Sequence, residues 1–376
     1  MTRKARLLAQ LAGDDIDRVP IVGGWSLGAR NLAALGGMTV EAYLTDPLAH
    51  VIAANRRQGV DGMVPPIIPQ DVDAIRAGSL QEEGFTELEP EAILHRAEAI
   101  PDSADEILRT RFDAAAVDAE FREHFSRMTG AMDDIALVPT IWAAPANFSL
   151  YFTYGYVAFL SAVALYPEAV ARIYWEDGIL SRERNHHIIR LWKEFDLIPL
   201  LFTGDDICTN DGPMVQPAFL RDAYWPHVAR ALEPYREAGI RCIHHCDGNV
   251  MPLVDDMVAA GFTGFQGFQY ECGVDIYDLR TRRGPDGEEM LIMGGLSVTR
   301  TLPFGTPDDV RREVDYCLDA TDGGRGFLLF TSNVTGVEVP PANLEAAYRH
   351  LTAYDPRVGR TGEKIVTPPA LGIEPG

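Results

Sequence analysis

The segment Ile243-His244-His245-Cys246-Asp247-Gly248-Asn249 sets two imidazoles, a thiol and a carboxylate side by side where an apolar run meets a glycine. Each of these groups can ligate a metal or move a proton. Side chains alternate faces along a strand, so His244 and Cys246 share one face and His245 and Asp247 the other. Either pair supplies two corners of a metal site, and the residues alone leave both registers open. Upstream, Leu200-Leu201-Phe202-Thr203-Gly204-Asp205-Asp206 repeats the design of apolar run, glycine and acids. Paired carboxylates can hold a metal, serve as a general base, or raise one another's pKa by repulsion. Asp206 also reads as a cap for a following turn, so Asp205, nearer the strand, is the stronger functional candidate.

These polar ends need strands to carry them. Eight short apolar runs qualify: 19–24, 60–65, 135–141, 198–203, 240–245, 263–267, 291–294 and 326–331. Most are continuously apolar, as parallel strands covered on both faces are. Helical patterns separate them, at 218–238, at 249–260, and after Thr306-Pro307-Asp308-Asp309, which combines an N-cap threonine, a first-turn proline and acids that suit the helix dipole. Alternation of this kind predicts a single α/β domain over 1–376, a (β/α)8 TIM barrel with N-terminal elaborations. Residues 70–134 read as a loop insertion, with a surface helix at 104–128, and 355–376 as an irregular extension. There are no internal repeats.

Catalytic sites of such barrels lie at the carboxyl ends of the strands. In strand order, the candidates there are Trp25, Ser26 and Arg30; Gln70 and Asp71; Trp142, Asn147, Phe148, Tyr151, Phe152 and Tyr154; Asp205 and Asp206; His244 to Asn249; Gln266 and Gln269; Ser297; and Ser332 and Asn333. The aromatic series after the third strand is first of all packing material. Part of it must still flank the mouth, which suits an apolar or aromatic substrate better than a polyanion.

Composition excludes other classes. Lys and Arg total 33 and Asp and Glu 55, for a net charge of −22, which repels phosphate backbones and argues against nucleic acid. Five cysteines without CxxC pairing fit a reducing compartment. No signal-like apolar region follows the basic start, and no run is long enough to span a bilayer, so a soluble cytoplasmic protein is expected. A homodimer stays open. Phosphate-binding glycine fingerprints are missing. Gly24-Trp25-Ser26-Leu27-Gly28 matches GxSxG, but its place on a first barrel strand is wrong for a nucleophile elbow.

The run from Gly204 to Ala353 resembles the uroporphyrinogen decarboxylase-like superfamily, which includes the decarboxylase and zinc methyltransferases that exchange methyl groups with corrinoid proteins. The likeness rests on Gly204-Asp205-Asp206, His245-Cys246-Asp247-Gly248-Asn249, Met293-Gly294-Gly295-Leu296, Leu302-Pro303-Phe304-Gly305-Thr306-Pro307, Val310-Arg311-Arg312-Glu313-Val314 and Val339-Pro340-Pro341-Ala342-Asn343-Leu344. Arg18-Val19-Pro20-Ile21 and residues 147–160 extend it. The resemblance implies a (β/α)8 barrel. The decarboxylase branch carries an arginine-rich loop where this chain reads Gly24-Trp25-Ser26-Leu27-Gly28-Ala29-Arg30-Asn31, with one arginine. The zinc methyltransferases carry His-x-Cys-Gly at the fifth strand and a cysteine near the eighth. Alignment on Gly248 gives His245 and Asp247 here, and Thr331-Ser332-Asn333 in place of the second cysteine.

An oxygen-and-nitrogen site is harder and more Lewis-acidic than a thiolate one, and suits an ether oxygen. The resemblance therefore implies a methyltransferase that moves a methyl group from a small methoxylated substrate to a corrinoid protein with zinc. It implies His245 and Asp247 as ligands, Asp205 and Asp206 as acid, base or ligand, and Asn249 and Asn333 as substrate-orienting groups. Trp25, Arg30, Trp142, Asn147, Phe148, Tyr151 and Gln266 are the expected substrate-binding residues. The alternatives are a cofactor-free decarboxylase of a small carboxylate held by Arg30, and a non-catalytic binding barrel.

Overall fold

The structure, a computed structural model, describes residues 1–69 and 87–374. Gln70, Asp71 and the acidic stretch 81–84 lie outside the described residues. Eight parallel strands follow in chain order: Val22–Gly23, Gly62–Met63, Ala136–Leu137, Leu200–Gly204, Arg241–His245, Gly264–Gln266, Leu291–Leu296 and Phe327–Thr331. The first three form one sheet and the last five another, each in sequential order. Single parallel bridges, Ile21 to Leu329 and Thr140 to Phe202, join the two sheets at both edges. This arrangement is that of the expected (β/α)8 barrel, with isolated bridges in place of continuous ladders at its two seams. A short antiparallel hairpin, Cys208–Thr209 with Gly212–Pro213, follows the fourth strand.

The alternation of side chains divides the core in two. Val22, Leu200, Phe202, Ile243, Leu291, Met293, Leu328 and Phe330 point inward and fill the barrel, joined by Leu7 of the helix Arg3–Ala12. Leu201, Cys242, Phe265, Ile292 and Leu329 point outward, into the layer against the helices. Both sets are fully buried, which is why the strand sequences are apolar at every position. The pairing fixes His245 opposite Gly204 and beside Gln266. A Cβ at Gly204 would come within 2.1 Å of the His245 carbonyl oxygen, so only glycine lets the fourth and fifth strands pair this closely at the rim.

Helix signals hold at Pro307–Ala320, where Thr306 accepts from the Asp309 amide and Asp309 accepts from the Thr306 amide. Two predicted helices prove to be pairs. The 218–238 pattern divides into Pro217–Ala223 and Trp225–Glu237, because Pro226 has no amide proton to continue the first helix. The 104–128 pattern divides into Ala104–Arg111 and Ala114–Met132, because Asp113 caps the second by accepting from the Ala116 amide. The 249–260 pattern tightens to a 3-10 turn, Met251–Leu253, before Val254–Ala259. Helices Glu91–Glu98 and Ala104–Arg111 are tied to the long helix Pro167–Glu194 by Arg96 and Arg111, which both pair with the fully buried Glu176. Among the described residues no single helix is long and apolar enough to cross a membrane.

Candidate metal centre

The fifth strand decides which histidine faces the barrel mouth. Ile243 packs inside, so His245 two residues on also points inward, while His244 points out among the helices. There the His244 ring lies edge-on to Phe262, at 4.6 Å between centroids, and burial pulls its pKa down to about 3. Cys246 is equally buried and donates to the Asp247 carbonyl, and its thiol is pushed well up by its hydrogen bond to Cys208 and by burial. The alternative register, His244 with Cys246, therefore builds no common site.

His245 Nε2 lies 3.7 Å from Asp206 Oδ1 and 3.8 Å from Asp247 Oδ1. All three ligand atoms fall within 4.8 Å of one another, and the described residues hold no other such group of three. Asp206 is fixed from two sides. Its Oδ1 accepts from the Asp247 amide at 2.9 Å, and its carbonyl accepts from Tyr151 Oη at 3.1 Å. Asn333 Nδ2 donates to Asp247 Oδ2 at 2.7 Å, whereas Asp247 Oδ1 is buried and accepts no hydrogen bond. Burial, with the charges of Asp206 and Glu271, holds the Asp247 pKa above the ordinary carboxylate range against the opposing pull of His245.

A divalent cation fits this donor set. An imidazole nitrogen and two carboxylate oxygens suit zinc and its harder neighbours, and three protein ligands leave a coordination position open. The orphaned Asp247 oxygen is what a cation would satisfy. No arginine or lysine among the described residues pairs with Asp206, Asp247 or Glu271. Glu271, whose Oε2 is also buried without a partner, gave no signal in the sequence, because it lies beyond the sixth strand in the short 3-10 helix Tyr270–Cys272.

The other expected residues divide. Trp25 and Trp142 stack at 6.2 Å and each meets the His245 ring at 5.8 Å, with Phe202 and Phe330 beneath them. Trp142 is 46% exposed, so the wall opens to solvent. Gln266 touches His245 itself, its Oε1 against Nδ1.

Asp205 turns away from the mouth. It accepts from Ser149 Oγ at 2.7 Å, Tyr224 Oη at 3.2 Å and the Phe148 amide, and burial raises it to about 7 against those donors. The preference for Asp205 over Asp206 is thus reversed, since successive side chains leave the strand on opposite sides. Phe148 is fully buried among Tyr151, Phe159, Tyr174 and Tyr224, which makes it core. Asn147 shapes its own turn by accepting from the Ser149 amide, and Asn249 does the same for Met251. Arg30 is exposed and acts on Glu41, away from the triad.

The sequence profile of the uroporphyrinogen decarboxylase (URO-D) family matches residues 206–354. That match covers the C-terminal part of the chain, the same part that carries the motifs of the resemblance. Among solved structures, a methyltransferase from Methanosarcina mazei is similar at 17% identity and a TM-score of 0.60, over 94% of this chain and 98% of that one. Identity that low speaks for a shared fold. No curated protein matches the sequence.

Proposed function

We propose that the chain is a methyltransferase that takes a methyl group from a small methoxylated compound and passes it to a corrinoid protein, with a divalent metal, zinc in the first instance, held by Asp206, His245 and Asp247. The observation that carries the reading is the convergence of three ligand atoms, one of them an orphaned carboxylate oxygen, beside a wall of two tryptophans. The name of the Methanosarcina neighbour, at matching length, agrees with it.

A bound divalent ion would supply Lewis acidity toward an ether oxygen. The remaining work falls to the chain. Trp25, Trp142, Phe202 and Phe330 bound one side of the reacting centre with apolar surface. Asn333 holds Asp247 in place, and the Asp247 amide and Tyr151 hold Asp206. A reduced corrinoid partner would supply the two-electron nucleophile for the methyl carbon; the carbon–oxygen electron pair would stay on the leaving oxygen, which would take its proton from solvent.

The test is direct. Protein purified without chelator should carry close to one equivalent of metal, and a variant with both His245→Ala and Asp247→Ala should carry none. Wild-type protein given a methoxylated donor should methylate a reduced corrinoid protein, followed by the absorbance change from cobalt(I) to methylcobalt. Metal-free protein that releases carbon dioxide from a small carboxylic acid would establish the decarboxylase reading in its place.

A further inference from the structure

We infer that Gln266 is a positioning residue that fixes the tautomer of His245 and thereby aims a bare nitrogen at the metal site; the inference rests on the metal reading given above. Gln266 ends the sixth strand, pairs with His245 in the sheet register, and is 3% exposed. Its Nε2 donates to the carbonyl oxygens of Thr331 at 2.8 Å and Ser332 at 2.9 Å, at the end of the eighth strand. Carbonyl oxygens only accept, so the amide nitrogen must face them. Turned round, the amide would press its oxygen against two others and lose both bonds in a buried place. Its Oε1 is therefore obliged to face His245 Nδ1, and because Oε1 also only accepts, the proton must sit on Nδ1.

The consequence appears across the ring. With Nδ1 protonated, Nε2 is a bare lone pair, directed toward Asp206 Oδ1 and Asp247 Oδ1. Neither carboxylate, when ionised, can donate to it. Three lone pairs thus converge on one point, an arrangement that a cation resolves and that the opposite tautomer, with its proton on Nε2, would block. Gln266 touches none of the three ligand atoms; its effect passes through the imidazole. Gly267, at φ +97°, adds to the fit, since a Cβ there would lie 2.5 Å from the Cys246 carbonyl oxygen and 3.3 Å from His245 Nδ1.

The experiment separates this inference from the metal reading. Histidines are labelled with 15N, the protein is stripped of metal, and two-bond 1H–15N correlations are recorded at a pH where the ring is neutral. Wild-type His245 should show a single tautomer with its proton on Nδ1. Gln266→Met, which keeps the volume and removes the hydrogen bonds, should show a mixture. Zinc affinity, measured by competition with a chromophoric chelator, should fall about 10- to 100-fold in Gln266→Met. A proton on Nε2 in the wild type, or a Gln266→Met protein with unchanged tautomer and zinc affinity, overturns the inference. Failure of the wild type to bind zinc while His245 keeps its Nδ1 tautomer overturns the metal reading and leaves the lock standing.

Discussion

Asp205 and Asp206 are chemically the same residue one position apart, and their surroundings give them opposite work. Asp205 is an internal acceptor that ties the fourth strand to the loop 147–149 and to Tyr224. Its folded pKa, raised to about 7, exceeds the ordinary value of about 3.9. The sign follows: the fold keeps a proton that the unfolded chain has lost, so this contribution is complete below about pH 4 and is lost as pH rises to about 7. Asp205→Asn should flatten that part of the stability curve in urea titrations and leave metal affinity unchanged. Asp206→Asn should do the reverse, with metal affinity down at least tenfold. An Asp205→Asn protein that loses its metal would return Asp205 to the site. The sequence made both acids visible but ranked Asp205 first, because proximity to a strand says nothing about which face a side chain leaves by.

The same limit acts at the scale of elements. Eight strands were legible because buried parallel strands are written as unbroken apolar runs, and that property hides their parity. Cys242 and His244 pack as well outside the barrel as Ile243 does inside, so only the pairing of His245 with Gly204 and Gln266 separates the two registers. The helix start at Thr306 was legible from its cap and proline, whereas the breaks that Pro226 and the Asp113 cap make at Tyr224 and Phe112 were missed because the hydrophobic pattern runs through both. The helices Glu91–Glu98 and Ala104–Arg111 share one buried carboxylate, beside the bonds that Arg172 of the long helix donates to the Ala97 and Ile100 carbonyls. Glu176→Ala would leave Arg96 and Arg111 unpaired. Since both arginines are about a third exposed or less, the loss should be about 2 kcal/mol, smaller than for a fully buried pair. Proteolysis should then cut at 91–111 first, with metal binding at the barrel mouth unaffected. A variant as resistant as the parent would show that the helices hold without this carboxylate.

For the whole molecule, the candidate site exists only when the ring is assembled. Asp206, His245, Asp247, Gln266 and Asn333 come from the ends of the fourth, fifth, sixth and eighth strands, and no fragment carries more than part of the set. A ligand that binds only the folded chain stabilises it by about 2.7 kcal/mol at a hundredfold excess over Kd. Zinc at that excess should raise the urea midpoint of unfolding accordingly, and the His245→Ala, Asp247→Ala double variant should not respond. Equal shifts in both proteins would place the zinc elsewhere.

The two seams of the barrel give this assembly a mechanical asymmetry. The three residues of the metal triad follow strands of the five-stranded half, whereas Trp25, Trp142 and the supporting Tyr151 follow strands of the three-stranded half. Between the halves stand isolated bridges, Ile21 to Leu329 and Ser26 to Thr335 on one side and Thr140 to Phe202 on the other, in place of ladders. Trp25 is nevertheless anchored across its seam, since its carbonyl accepts from the Thr335 amide at 3.2 Å and from Thr335 Oγ1 at 2.9 Å. Each half thus contributes its own part of the pocket, coordinating atoms from one and apolar wall from the other, and the bond to Thr335 fixes the distance between them.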